Sequence, residues 1–370
     1  MYIFLTQCFP SRLGGIESLI SNLAIHIGKK EKVVVFADQN NILLDAIFDN
    51  KYKDIILVKR YSGIKYFRKR KKISEFKIFA ESQFVKGIIA DTWKSLELVI
   101  DYINLKKMPT FCLIHGNDLL SNNIRKKKRI VSTLNKTTSI IANSNYIANL
   151  YKEIIGYHNN IKVVYPGASD LRNIKVKNKI NIEGSPIILT LARLDKRKGH
   201  EIVMKSIKKL KKDFPNIKYI IAGEGKEKNN LIKLVNDFGI KENIYFAGNV
   251  NDEQKKQLFE KTNLMVMPTL DERLNRSIEG FGISYIEAAF FGVSSIASNV
   301  GGTPEAVLDN DTGKVIYHHK ELYETMYDLL SNKEKLHQLN KNAQNRAEKI
   351  FTWEKVADNY LLAFNSSIGR

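Results

Sequence analysis

Residues 279–292 read EGFGISYIEAAFFG. Two carboxylates, Glu279 and Glu287, stand eight residues apart. Between them Gly280-Phe281-Gly282 permits a tight turn, because glycine tolerates backbone angles closed to other residues. Ile283, Ile286, Ala289 and Phe290 then recur at helical spacing, which predicts a helix starting near Gly282. A glycine turn that opens a helix offers unpaired backbone N–H groups at the positive end of the helix dipole, a setting that suits a phosphate. Glu279 falls on the turn and Glu287 in the early turns of the helix. Two carboxylates therefore flank an anion site, where they can accept hydrogen bonds from sugar hydroxyls.

Outward from this stretch, short apolar runs alternate with helical patterns along the whole chain. Seven strand candidates lie between Tyr2–Thr6 and Ile161–Val164, and six more between Ile187–Leu191 and Lys314–Ile316. Strand followed by helix, repeated, predicts parallel sheets covered by helices on both faces. The run Arg172–Ser185 is polar and rich in lysine, with Gly184 and Pro186 near its end, and reads as a linker. The expected architecture is α/β, two doubly wound Rossmann-like domains over 1–175 and 185–350. Ligands of such sheets bind beyond the carboxyl ends of the strands, so the expected site is a cleft faced by both domains.

At 370 residues, with 44% hydrophobic and 26% charged residues, the chain has the composition of a soluble globular protein with room for two cores. Cys8 and Cys112 sit in apolar strand-like runs, which indicates buried thiols in a reducing compartment and neither a disulfide nor a metal site. The apolar start MYIFLTQCF lacks a basic leader segment and reads as a first buried strand. No apolar run approaches membrane-spanning length. The formal charge of +20 is uneven: residues 1–180 carry +17 of it, concentrated in Lys65–Lys72 (KYFRKRKK) and Arg125–Arg129 (RKKKR). Basic residues interleaved with Tyr66 and Phe67 suit an anionic membrane surface. Nucleic acid is the alternative partner, but the usual sequence signatures of nucleic-acid modules are missing.

The Glu279-x7-Glu287 pattern resembles the motif of the retaining family 4 glycosyltransferases, also called glycosyl transferases group 1, which have the two-domain GT-B fold. Further segments match that family in order. Gly14-Gly15-Ile16-Glu17 follows the first strand, as the family's Gly-Gly-x-Glu does. Leu191–His200 (LARLDKRKGH) carries Arg193 and Lys198 at the positions of the family's diphosphate-binding pair, and Lys196 and Arg197 are expected to be solvated. His115-Gly116 follows a strand where the family has a sugar-contacting His. Ile221–Glu227, with Gly223, matches a strand-end loop near the nucleotide, and Gly301–Glu305 (GGTPE) matches another turn. Pro166-Gly167-Ala168-Ser169 departs from the family's Asn-Gly-Val-Asp, and Asp271–Ile278 is longer and more basic than in many members.

The resemblance implies a hexosyltransferase using a nucleotide diphosphate sugar, with His115, Arg193, Lys198 and Glu279 as catalytic residues. Donor-binding residues would be Gly14, Gly15, Gly223, Phe281, Gly282, Ile283 and Glu287. It implies no metal and no other cofactor, because the protein supplies the positive charge that a departing diphosphate needs. It also implies that the final helix, within 351–370, packs back on the first domain. With the basic first half, the expected acceptor is a lipid-linked or cell-surface glycan, such as lipopolysaccharide, capsule or exopolysaccharide. The enzyme is expected to be peripheral on the cytoplasmic face of the inner membrane. The alternatives are a soluble small-molecule acceptor, or a basic nucleic-acid-binding protein.

Overall fold

A computed structural model describes residues 1–156 and 160–369 of the chain. The apolar runs form two wholly parallel sheets. The first contains β1 (Tyr2–Thr6), β2 (Val33–Asp38), β3 (Ile56–Tyr61), β4 (Gly87–Ala90), β5 (Thr110–Ile114), β6 (Ser139–Ala142) and β7 (Ile161–Val163), in the order β3-β2-β1-β4-β5-β6-β7. The second contains β8 (Ile187–Leu191), β9 (Lys218–Ala222), β10 (Ile244–Gly248), β11 (Leu264–Met267), β12 (Ser295–Ser298) and β13 (Gly313–Ile316), in the order β10-β9-β8-β11-β12-β13. Helices cross over between successive strands, which buries both faces of the central strands and explains why they read as unbroken apolar runs. Ile3, Phe4, Val34, Val35, Ile88 and Ile89 are all fully buried. In each sheet the order reverses at one place, between β1 and β4 and between β8 and β11, and the loops leaving those strands diverge to opposite sides.

The chain falls into two compact units, Met1–Gly167 with Trp353–Arg370, and Ala168–Thr352. In the first unit the terminal helix Trp353–Ser367 lays Trp353, Val356, Tyr360 and Phe364 into the same core as Phe4, Ile20, Leu23 and Ile27 of that unit. The Phe364 ring stacks on Phe111 with centroids 4.3 Å apart. In the second unit Val203, Met204, Ile207 and Leu210 of the helix His200–Leu210 cover β8, β9 and β11.

Two local features differ from the sequence reading. The polar run expected as a linker lies fixed on the second unit. The amide of Asn178 donates to Glu253 (2.7 Å) and that of Ile180 to Gln257 (2.8 Å), while Gln257 returns a hydrogen bond to the Asn178 carbonyl. The unit boundary therefore lies before this run, at Gly167. The basic tract Lys65–Lys72 is not uniformly solvated either. It opens the helix Lys65–Glu81, whose inner face turns Arg68 and Lys72 onto Asp38 at the end of β2, at 3.0 and 2.6 Å. Lys72 also donates to the Thr6 carbonyl (2.7 Å). No helix of the described residues is long and apolar enough to cross a membrane.

Candidate functional site

In the second unit the chain leaves β8 through Arg193 and enters a single 3₁₀ turn, Lys196–Lys198, which ends at Gly199. Gly199 has φ +73°, and a Cβ there would lie 2.2 Å from the Pro268 carbonyl oxygen, so only glycine lets this turn close onto the end of β11. The Leu270 amide, donating to the Arg197 carbonyl at 2.7 Å, locks the two loops together. The turn drives Arg197 and Lys198 inward, and both donate to one oxygen, Oε2 of Glu279, with Arg197 Nη1 at 2.5 Å. Glu279 Oε1 has no hydrogen-bond partner among the described residues. Arg197, Lys198 and Glu279 are almost closed from solvent, with the Glu279 side chain only 12% exposed. The expectation that Arg197 is solvated is therefore corrected.

The backbone of Glu279 is fixed separately. The Gly302 amide donates to its carbonyl at 3.0 Å, and a Cβ on Gly301 (φ +64°) would meet that oxygen at 2.2 Å. Gly282, in the left-handed region at φ +100°, then starts the helix Ile283–Phe290. Tyr285 closes over Gly282 and donates its hydroxyl to the Met267 carbonyl at 2.7 Å, which ties the helix start to the end of β11.

Charge is unbalanced in this cluster: two cations meet one carboxylate. Burial alone would raise the Glu279 carboxyl, but Lys198 and Arg197 outweigh it and hold the group down at about 2. Burial presses Lys198 below its usual value. Glu279 opposes this, and Arg197 and Arg193 add repulsion. With two cations facing it, Glu279 is an anion at neutral pH. His200, behind the turn, is lowered to about 4 by burial and adds no charge; its ring bridges the Tyr219 hydroxyl (3.1 Å) and the Arg193 carbonyl (3.4 Å). A buried cluster with net positive charge, beside first-turn amides of a helix, is equipped to receive an anion.

The other predicted residues of this unit take varied positions. The Arg193 side chain is 73% exposed and pairs loosely with Asp195 at 3.5 Å, yet its charge reaches Lys198. Glu287 lies on the second turn of its helix and pairs with Lys255 at 3.1 Å, from the helix Asp252–Lys261. Burial lowers Lys255, but Glu287 and Asp252 raise it further. Gly223 (φ +140°) lets the loop after β9 pass against the Ala192 carbonyl, and its amide donates to Gly248 at 2.7 Å. The Phe281 ring is buried against Phe351 (5.7 Å between centroids), so only its backbone is available to a ligand. Ile283 is half-buried.

In the first unit Gly14 and Gly15 are exposed between β1 and the helix Gly15–Gly28, and a Cβ on Gly15 would meet nothing within 4 Å. His115 follows β5, with Nε2 2.8 Å from the Asp91 carbonyl oxygen, while its amide donates to Asp118 at 3.0 Å. Asp91, at the end of β4, escaped the sequence reading. It is fully buried and accepts hydrogen bonds from the Thr6 hydroxyl (2.8 Å), the Gln7 and Cys8 amides (3.0 and 3.2 Å) and the Ser95 hydroxyl (2.6 Å). Arg197 and Lys255 were missed as well. Nothing in one sequence distinguishes Arg197 from its basic neighbours, and Lys255 meets Glu287 only through the fold. Among the described residues no group of three or more His, Cys, Asp or Glu is arranged to hold a metal ion.

Comparison with known proteins adds three findings. The family described as Glycosyl transferases group 1 matches residues 172–346, nearly the whole second unit. A GDP-mannose-dependent alpha-(1-6)-phosphatidylinositol monomannoside mannosyltransferase of Mycolicibacterium smegmatis is 28% identical over 142 residues, which cover 38% of this chain and only 37% of that protein. A GDP-mannose-dependent monoacylated alpha-(1-6)-phosphatidylinositol monomannoside mannosyltransferase of Corynebacterium glutamicum is 23% identical over 96% of this chain and 95% of its own. Among solved structures, Anabaena Alr3699/HepE in complex with UDP superposes with a TM-score of 0.78 at 18% identity, over 99% of both chains. That likeness is one of fold, and the fold is GT-B.

Proposed function

We propose that the chain, whose second unit matches the glycosyl transferases group 1 family, moves a hexose-type sugar from a nucleotide diphosphate sugar to a lipid-linked or cell-surface glycan. The reading rests on one observation above all: Arg197 and Lys198 converge on Glu279 and leave net positive charge beside the start of the helix Ile283–Phe290. The barrier to glycosyl transfer lies in departure of a diphosphate from an oxocarbenium-like centre, and preorganised charge is the strongest means of lowering it. Lys198, Arg193 and the helix amides near Gly282 would take the diphosphate. Glu279 would accept a sugar hydroxyl through Oε1, and Glu287 would hold the ribose while Lys255 fixes its orientation. Gly14 and Gly15 would offer amides to the donor phosphate, and Gly223 would border the nucleotide. His115 would contact the transferred sugar. Because the protein supplies the cations, the reaction as proposed uses no metal, and by resemblance to the family's Glu-x7-Glu pattern at Glu279 and Glu287 it retains the anomeric configuration.

The acceptor reading draws on two supports. The first half of the chain holds +17 of the net charge, and two relatives bear names of enzymes acting on phosphatidylinositol mannosides. We read the enzyme as peripheral on the cytoplasmic face of the inner membrane, extending a lipopolysaccharide, capsule or exopolysaccharide precursor, with no nucleic-acid partner.

The test is turnover of UDP- and GDP-sugars by the purified chain, with and without a membrane-lipid extract as acceptor source, in EDTA. Expected results are release of nucleoside diphosphate, a glycosylated lipid by mass analysis, and the donor's anomeric configuration in the product by NMR. Failure to turn over any donor would remove the enzymatic reading. Transfer only to water-soluble glycans would remove the lipid acceptor, inversion would remove the retaining mechanism, and a strict need for added Mg²⁺ would contradict the metal-free scheme.

A further inference from the structure

The carboxyl edge of the first sheet carries apolar side chains that the core does not use. After β2 the helix Ile42–Tyr52 begins with Ile42, Leu43 and Leu44, with Ile47 following on the same outer arc. Ile42 is 71% exposed and Leu43 75%, and Leu44 and Ile47 are more than half exposed. This turn is held rigidly. Asp45, on its inner side, is buried and accepts from the Ser11 amide and hydroxyl (2.7 and 2.8 Å) and the Asn40 amide (2.8 Å), with Arg60 at 3.5 Å. Asn41 caps the helix by accepting from the Leu44 amide at 3.0 Å. Two residues after Ser11 stands Leu13, which is almost fully exposed.

The neighbouring strand β3 delivers the helix Lys65–Glu81 to the same edge, and the Gln39 amide donates to the Tyr61 carbonyl at 2.7 Å where the two strands end. Arg68 and Lys72 are committed to Asp38, which leaves Lys65, Tyr66, Phe67, Arg70 and Lys71 facing outward. Tyr66 and Phe67 meet edge to face at 5.3 Å, and the Arg70 guanidinium covers the Tyr66 ring at 4.3 Å. Ile64, before the helix, is exposed too.

We propose that these two helix starts form one bilayer-docking face, in which Ile42, Leu43, Leu44 and Ile47 enter the acyl region while Lys65, Arg70 and Lys71 meet anionic headgroups. Contiguous apolar surface on a soluble chain marks an interaction site. Aliphatic side chains rimmed by aromatics and cations match the boundary between headgroups and hydrocarbon. Charge decides against a second copy as the occupant. Two such faces apposed would bring their basic rims together, whereas an anionic bilayer neutralises them. The inference deepens the proposed lipid-linked acceptor and rests on that reading for its purpose. It adds a hydrophobic component that the basic tract alone does not have.

The experiment uses the full chain with vesicles of phosphatidylcholine, alone or mixed with phosphatidylglycerol, across a salt series. Wild type should bind the anionic vesicles, lose part of that binding as salt rises, and keep a remainder that salt does not remove. Leu43→Ser with Leu44→Ser should abolish the remainder and weaken binding by about tenfold or more, at unchanged melting temperature because both sites are exposed. Lys65→Ala with Arg70→Ala and Lys71→Ala should remove only the salt-sensitive part. A Leu43→Trp probe should shift its emission to the blue on vesicles. Binding by the serine variant equal to wild type, or unshifted Trp emission on bound protein, would overturn the proposal. So would a concentration-dependent dimer that the serine variant dissolves. Donor turnover without vesicles should be the same in the serine variant and wild type. Its absence in wild type would count against the enzymatic reading and leave the docking result standing.

Discussion

Replacing Glu279 by Gln keeps the shape of the side chain and removes the anion that, among the described residues, pairs with both Arg197 and Lys198. Two consequences follow from burial. Both cations lose their counter-charge where water does not reach, and breaking a buried pair in this way costs about 3–5 kcal/mol. For a unit of this size each kcal/mol lowers the melting temperature by roughly 2–4 °C, so unfolding of the second unit should occur about 6–20 °C earlier. The second consequence is chemical. Loss of one preorganised partner in the site should raise the barrier by about 3–4 kcal/mol, a fall in kcat of about 10²–10³. The local charge becomes more positive, however, so affinity for the donor diphosphate should not fall and KM should stay level or drop. The double change Arg197→Gln with Glu279→Gln should recover part of the lost stability, because one uncompensated cation is gone, but none of the rate. Steady-state kinetics and calorimetry read these outcomes. A wild-type kcat and melting temperature in Glu279→Gln, or a raised KM with kcat intact, would refute the reasoning.

Two further predictions address the supports of this site. Glu279 is held at about 2 against an ordinary value of 4.5, so the stability and activity that depend on its charge are complete above pH 4.5 and decline as pH falls towards 2. Arg197→Gln removes one of the two cations, and the acid limb of both kcat/KM and melting temperature should move to higher pH, with Arg197→Lys restoring most of the shift; an unmoved limb would count against the role of Arg197. Two glycine substitutions should part company. Gly301→Ala forces a Cβ against the Glu279 carbonyl at positive φ and should cost about 1–3 kcal/mol or more. Gly15→Ala, which meets nothing within 4 Å, should leave stability within about 0.5 kcal/mol while raising the donor KM.

Much of this could be read from residues in a row. The central strands are legible because each is an apolar run buried on both faces, as in Ile187–Leu191 or Ser139–Ala142, and such runs have little else to become. The glycine turn before Ile283 was legible because Gly282 must adopt positive φ, and the helix does begin there. What remained hidden depended on side-chain direction. In Lys196-Arg197-Lys198 the sequence shows three equal cations, and only the 3₁₀ turn ending at Gly199 sends the last two inward. Within Lys65–Lys72, helical spacing alone does not reveal that Asp38, more than a helix away in sequence, takes Arg68 and Lys72. The opening of the helix Ile42–Tyr52 is aliphatic, yet the fold turns Asp45 inward and leaves Leu43 and Leu44 outside.

The two sheets share a strand order, since β8-β11 repeats the place of β1-β4, and in each the same pair of loops is joined through a carboxylate. In the first unit the residue after the fourth strand, Asp91, gathers Thr6 at the end of the first strand and Gln7 and Cys8 from the loop that follows it. In the second, Glu279 after β11 gathers Arg197 and Lys198 from the loop of β8. One wiring plan is thus executed with opposite electrical character. Asp91 is closed by hydroxyls and amides, which fasten the loops without bringing a cation. Glu279 is closed by cations, which fasten the loops equally well and leave a positive remainder. Two sheets of one strand order therefore differ in what the first-strand loop presents to that carboxylate, neutral donors in one unit and cations in the other.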